Sequence, residues 1–186
     1  MENKLVSTFD YKLIYIFRIN DGKHNNLLKI GDATIHNVRN IDDLHPNCHD
    51  LNVAAKERID SYTSTAGIVY ELLYTELAIA KNSKGKIKAF RDHDVHDVLT
   101  RSGIEKYYFE TNKKQNEWFK TDLQTAINSI RAVKEGKTAL DNCEITTKRN
   151  PIIFRPEQNE AIDKTIKVFK NSDAMLWNAK MRFGKT

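Results

Sequence analysis

The first part of the chain alternates between apolar and polar residues, as a half-buried sheet requires. Residues 12–19, KLIYIFRI, place four residues on one face: Leu13, Tyr15, Phe17 and Ile19. Asn20-Asp21-Gly22 signals a turn before LLKIG, residues 27–31, so these two segments predict a hairpin. IVYELLYTEL, residues 68–77, is the richest strand candidate. The pattern therefore predicts three strands, two of them adjacent.

Helical spacing of apolar residues marks other segments. Helices are predicted over 52–62, 89–101 and 116–134, each followed by a glycine, and over 156–169, which has Pro156 in its first turn. Residues 36–50 are polar and predict an irregular insertion, and residues 173–178 predict a buried strand. The expected organisation is one domain over 1–136, a linker over 137–150, and the start of a second domain over 151–186.

Composition and charge narrow the function classes only slightly. The net charge of +5 permits nucleic-acid binding without requiring it, and the basic clusters at 81–88, 113–114 and 148–149 are also compatible with solvated faces. Two cysteines provide no disulfide framework, which fits a reducing cytoplasm. No stretch approaches the ~18 apolar residues of a membrane helix, so no membrane association is expected.

The last residues contain a nucleotide-binding pattern. Ala179 and Gly184-Lys185-Thr186 fit a P-loop with alanine in the first glycine position. In such a loop backbone N–H groups surround phosphate, the lysine neutralises it, and the threonine binds Mg²⁺. The segment PIIFRPEQNEAI, residues 151–162, resembles the opening of superfamily 2 helicases and restriction-enzyme translocases. This resemblance implies that Gln158 reads the adenine of ATP. We expect a motor lobe truncated at residue 186, which binds and hydrolyses ATP only in a longer protein.

A second resemblance covers the N-terminal part of the chain. In order, the sequence contains Leu13-Ile14-Tyr15, Lys29-Ile30-Gly31, Arg58 on a helix, a later Asp92 and His96, and Glu117-Trp118-Phe119. This order resembles the GIY-YIG nuclease superfamily, in particular its phage-type subgroup with K-I-G and E-W-F motifs. It implies an α+β domain whose three-stranded antiparallel sheet is flanked by helices. The first helix and strand of an α/β P-loop lobe would follow.

The resemblance also implies a catalytic role for each matched residue, in DNA cleavage with one Mg²⁺ or Mn²⁺. Tyr15 would position or deprotonate water, and Lys29 stands where the subgroup often has lysine. Arg58 would hold the scissile phosphate with its fork of donors. His96 matches a subgroup histidine.

The metal carboxylate would be Asp92, with Asp94 as the fallback. Asp92 and His96 lie four residues apart, so they share one helix face. The family usually has glutamate here, and aspartate is one methylene shorter, so a weakened or inactive nuclease stays open. Leu13 also replaces a usual glycine. His45-x-x-Cys48-His49 has zinc-like letters without a second ligand pair.

Three functions remain open on these grounds. The first is a metal-dependent DNA endonuclease fused to an ATP-dependent helicase, acting in restriction or phage defence with possible partner subunits. The second is a catalytically weak module that docks DNA for the motor, in which Lys84, Lys86, Lys88 and Arg91 matter more than Asp92. The third is a structural or protein-interaction domain, in which Tyr15 is a core residue and Arg58 lies on the surface.

Overall fold

A computed structural model of the chain describes residues 9–81, 87–109, 117–146 and 154–176. It divides into two units, Met1–Thr147 and Lys148–Thr186. The strands of the first unit are β1 (Phe9–Arg18), β2 (Leu27–Val38), β3 (Glu71–Leu77), β4 (Ile79–Lys81), β5 (Ile87–Ala89) and β6 (Trp118–Lys120). Its helices are α1 (His49–Thr63), α2 (Asp92–Arg101) and α3 (Leu123–Glu135), and the second unit contains α4 (Pro156–Val168).

The main sheet is antiparallel, with strand order β3-β1-β2-β6, and β4 and β5 form a separate ribbon. The α+β class agrees with the sequence-based expectation, but the main sheet has four strands within the described residues rather than three. The fourth strand is β6, which pairs with Leu27–Lys29 at the start of β2. The predicted hairpin is present: β1 pairs with β2 over most of its length.

Alternating side chains of β1 supply two separate cores, because successive residues of a strand point to opposite faces. Leu13, Tyr15 and Phe17 pack with α1 on one face. Ile14 and Ile16 pack with α2 and α3 on the other face. We call these the α1 face and the α2/α3 face. Burial of an apolar side chain such as Phe17 stabilises the fold by about 1.5–3 kcal/mol, so both faces contribute.

Two sequence predictions about element boundaries are wrong. The helix predicted over 116–134 begins only at Leu123, because Trp118–Lys120 pair with β2 and the Asp122 carboxylate caps the helix by accepting a hydrogen bond from the Thr125 N–H at 2.9 Å. The irregular segment predicted from residue 36 instead begins with the end of β2, which continues to Val38 opposite Phe9.

The free edge of β3 is covered by a loop residue instead of a strand. The Asn47 side chain accepts a hydrogen bond from the Thr75 N–H, and the Asn47 N–H donates to the Thr75 carbonyl, both at 2.9 Å. The Thr75 hydroxyl also donates to Asn52 at 2.8 Å. Covering an edge in this way removes a template for pairing with another chain.

Residues of the expected linker pack against the first unit. Leu140 is buried, and its N–H donates to the Ser102 hydroxyl at 2.8 Å. The Thr146 hydroxyl donates to Asp122 at 2.6 Å. No helix in the described part of the chain is both long and apolar enough to cross a membrane.

The second unit is described around one helix. α4 begins at Pro156, and the Arg155 N–H donates to the Gln158 side-chain oxygen at 2.9 Å. Gln158 therefore belongs to the cap of this helix, and its expected adenine contact stays a prediction. Residues 173–176 of the predicted strand are not in a strand, while residues 177 and 178 lie outside the described residues. The P-loop residues Gly184, Lys185 and Thr186 also lie outside them.

Candidate nucleic-acid interface

Two tyrosines form the centre of the candidate site on the α1 face. Tyr15 lies in the middle of β1, and Tyr62 lies in the last turn of α1. Their hydroxyl oxygens are 3.3 Å apart, within hydrogen-bond distance. Tyr15 is only 2% exposed, and its burial raises its pKa above that of a free tyrosine. Burial, followed by the contact with Tyr15, also raises the pKa of Tyr62. Both phenols therefore stay neutral and can donate hydrogen bonds at physiological pH.

Two basic side chains meet the same tyrosine ring. The Lys29 ammonium lies 4.4 Å from the centre of the Tyr62 ring, and the Arg58 guanidinium carbon lies 5.7 Å from it. Lys29 comes from β2, whereas Arg58 precedes Tyr62 by one helical turn. Each cation is within the range of a cation–π interaction, which holds it near the ring without neutralising it.

The two cations differ in their other contacts. The Lys29 ammonium lies 3.2 Å from the Glu117 carboxylate, and the Lys29 side chain is 16% exposed. Arg58 is exposed and forms no ion pair within the described residues. Its guanidinium therefore keeps its donors available for an incoming anion.

A connected set of aromatic rings extends from this site to the surface. Phe17 contacts Trp118 with ring centres 5.7 Å apart, and Trp118 contacts Phe109 at 5.9 Å. Phe109 contacts Tyr107 at 4.9 Å. Tyr107 is 40% exposed, and its neighbour Tyr108 is 51% exposed. Exposed aromatic rings are surfaces on which unpaired RNA bases stack.

His96, expected to be catalytic, occupies a different place. It is buried on the α2/α3 face, where its ring contacts Phe119 with ring centres 5.1 Å apart. Its Nε2 lies 2.8 Å from the Ile30 carbonyl oxygen, so this nitrogen carries the proton in the pair. Burial lowers the His96 pKa, so the ring is neutral. It bonds to Ile30, the residue of β2 that follows the segment paired with β6.

The expected metal carboxylate also belongs to the α2/α3 face, because Asp92 is the first residue of α2. It accepts a hydrogen bond from the His93 N–H at 2.8 Å. Asp94, the fallback, accepts from the Arg91 N–H at 2.8 Å and caps the same helix. The structure thus brings together Tyr15, Lys29 and Arg58, but it places Asp92 and His96 on the helix behind the sheet.

No cluster of three or more histidine, cysteine, aspartate or glutamate side chains arranged to hold a metal occurs among the residues that the structure describes. Binding of Mg²⁺ or Mn²⁺ by Asp92, and of ATP by the C-terminal segment, stay predictions.

Sequence reasoning missed Tyr62, which lies at the centre of the site. Its position four residues after Arg58 was the available signal, because residues at this spacing meet on a helix.

Comparison with known proteins finds similarity to a ribosomal protein over part of the chain. The chain is 35% identical over 81 residues to the large ribosomal subunit protein bL9 of Pseudomonas putida strain W619. The match covers 44% of this chain and 55% of that protein, so the chain spans about half the length of the relative it matches. No family model matches the chain, and no solved structure matches it.

These comparisons overturn the two family resemblances. The relative found is a ribosomal protein, and neither a GIY-YIG nuclease nor a helicase family matches. The identification of the chain as a nuclease fused to a helicase motor is therefore wrong, as is its classification as an endonuclease. The associated expectations of DNA, ATP and restriction or defence partners have no support. The K-I-G and E-W-F motifs have structural explanations in this fold. Gly31 leaves space for the Tyr15 ring, and Trp118 and Phe119 are buried in the core.

Proposed function

We propose that the first unit is a non-enzymatic RNA-binding module in which Arg58, Lys29 and Tyr62 contact the RNA backbone. The buried Tyr15 hydroxyl, 3.3 Å from that of Tyr62, positions the Tyr62 phenol. The observation on which the proposal rests is the convergence of Lys29 and Arg58 on the Tyr62 ring beside the Tyr15 hydroxyl. This arrangement offers two positive charges and the Tyr62 phenol at one place, which suits a phosphate oxygen pair.

RNA is the favoured nucleic acid for two reasons. The relative is a protein of the large ribosomal subunit, an assembly built around RNA. The second reason is the exposed ring of Tyr107, connected to the site through Phe109 and Trp118, together with the exposed ring of its sequence neighbour Tyr108. Unpaired RNA bases stack on such rings at about 1–3 kcal/mol per base.

Arg58 is the residue expected to contribute most. It is exposed and has no competing carboxylate within the described residues, whereas Lys29 is shared with Glu117. Its guanidinium is held at the Tyr62 ring, so less side-chain freedom is lost when it binds a phosphate.

The test is fluorescence polarisation with a labelled single-stranded RNA, measured over a salt series, for wild type and for Arg58→Ala and Lys29→Ala. Arg58→Ala should weaken binding and reduce the slope of log K against log salt by about 1. Lys56→Ala is the matched control, because Lys56 is an exposed cation on the same helix for which no ring contact is found in the described residues. RNA binding that is absent, or equally affected by Arg58→Ala and Lys56→Ala, would refute the proposal.

A further inference from the structure

A groove on the first unit lies away from the Tyr15–Tyr62 pair, between the end of β2 and the first half of α1. It has a volume of about 550 Å³. One wall is the β2 segment from Thr34 to Val38, and the other is formed by α1 residues that include Asp50, Val53 and Glu57. We call it the β2–α1 groove.

The β2 wall of this groove is an open strand edge. β6 pairs only with Leu27–Lys29, and the Ile30 N–H donates to the Glu117 carbonyl at 3.1 Å. Beyond this point β2 has no further strand neighbour on that side among the described residues. Since backbone groups two residues apart point the same way, the N–H and C=O of Thr34 face the open edge. No hydrogen bond to them occurs within the described part of the chain.

The α1 wall carries two carboxylates with an apolar residue between them. Asp50 and Glu57 are seven residues apart, so they lie on one face of the helix, with Val53 between them. Val53 is 40% exposed. The lining contains three carboxylates, Asp43 being the third, against one arginine, Arg39, and two histidines, His36 and His49. None of the three carboxylates forms an ion pair with another described residue. The wall is therefore acidic with an apolar centre.

We propose that the β2–α1 groove binds an extended, basic peptide segment of a protein partner, which adds as a strand to the edge of β2. Main-chain hydrogen bonds to an open edge give such complexes their affinity, and side-chain pockets give them specificity. Asp50 and Glu57 are about 10 Å apart along the helix axis. Residues four apart on an extended peptide are about 13 Å apart. Two lysines or arginines at that spacing, with an apolar residue midway over Val53, fit the wall.

The probe is a fluorescein-labelled peptide, GSKTVTKSG, and its matched control is GSETVTESG. The lysine peptide should bind, and the glutamate peptide should not. The double variant Asp50→Lys/Glu57→Lys should weaken binding about tenfold, because two attractions become repulsions. Glu105→Lys is the control, since Glu105 is exposed outside the groove. Arg58→Ala should leave peptide binding unchanged, so the outcome is independent of RNA binding.

Strand addition is tested separately with backbone-modified peptides. Methylating the amides of alternate peptide residues should abolish binding for one set and not for the other, because only every second amide faces β2. Hydrogen exchange of the Thr34 amide should slow when the peptide binds. Binding that survives both methylated sets, or the lysine-to-glutamate change, would overturn the proposal. So would Thr34 protection without peptide in a protein that sediments as a dimer, because a second copy would then occupy the groove.

Discussion

Gly31 lies directly opposite Tyr15 on the neighbouring strand, and it leaves the space that the tyrosine ring fills. A Cβ atom added at Gly31 would lie 2.5 Å from the Tyr15 hydroxyl oxygen and 2.6 Å from the ring carbon that bears it. Separations this short do not occur between real atoms, so any side chain at residue 31 must displace the ring. The glycine of the K-I-G motif is thus explained by the position of Tyr15.

Gly31→Ala should therefore destabilise the protein by about 1–3 kcal/mol, the usual cost of overpacking a core. Urea unfolding of the variant measures this loss. Gly22→Ala is the control, because a Cβ at Gly22 meets no atom within 4 Å and its loop is exposed. If the two variants unfold at the same urea concentration, the close approach of Gly31 to Tyr15 is not a constraint on the fold.

The raised pKa of Tyr15 predicts a loss of stability in alkali. The neutral phenol is favoured in the folded state by burial, whereas tyrosine in the unfolded chain ionises near pH 10. The contribution of the neutral Tyr15 to the free energy of unfolding is therefore complete below about pH 10. It is lost as the pH rises through the raised pKa of Tyr15 in the folded protein.

Urea unfolding between pH 9 and 11 measures this effect, which for one tyrosine reaches at most about 1.4 kcal/mol per pH unit. In Tyr15→Phe the alkaline loss should be smaller than in wild type. Tyr108→Phe, which changes a ring that is 51% exposed, is the matched control. Identical alkaline slopes in wild type and Tyr15→Phe would contradict the expectation.

Much of the sheet was predictable from the sequence, since alternation places Leu13, Tyr15 and Phe17 on one face, as observed. β6 was not predictable, because three residues are too few to show a period and the following helix extends the apolar pattern. The cover of β3 by Asn47 depends on a contact between distant parts of the chain, which no local pattern reports.

The candidate site was predictable only in part. Tyr15, Lys29 and Arg58 were selected from the sequence, and the structure brings them together, although the family resemblance that suggested them is wrong. His96 and Asp92 were assigned to the same site because the order of residues in a chain does not tell which face of a sheet a later helix covers. That choice depends on the packing of α2 against α3.

The lowered pKa of His96 predicts a second pH dependence, on the acid side. Burial favours the neutral ring in the folded protein, whereas histidine in the unfolded chain takes up a proton near pH 6.5. The contribution of the neutral His96 ring to the free energy of unfolding is therefore complete above about pH 6.5, and it falls as the pH decreases below that value. The slope from this residue is at most about 1.4 kcal/mol per pH unit.

His96→Gln should remove the part of the stability loss at low pH that comes from protonation of His96. The glutamine keeps an amide donor for the Ile30 carbonyl. Guanidinium unfolding at pH 7.5 and 5.5 gives the difference for each protein. His93→Gln serves as the control, because His93 is an exposed histidine on the same helix. A His96→Gln variant that loses as much stability as wild type between these two pH values would show that His96 does not titrate as proposed.

Asn47 combines two roles that substitution can separate, since its backbone has φ of 61° and its side chain binds the Thr75 N–H. Asn47→Gly keeps the left-handed conformation but loses the side-chain hydrogen bond, which should cost about 0.5–1.5 kcal/mol. Asn47→Ala loses both and should cost about 1 kcal/mol more, because only glycine and asparagine adopt this conformation readily.

Asn26→Gly is the control, since Asn26 has φ of 58° and no side-chain hydrogen bond within the described residues. Thermal unfolding should rank the proteins with Asn26→Gly near wild type, then Asn47→Gly, then Asn47→Ala. Equal stability of the two Asn47 variants would mean that backbone conformation contributes nothing at this edge, and Asn47→Gly as stable as wild type would mean that the bond to Thr75 does not hold it.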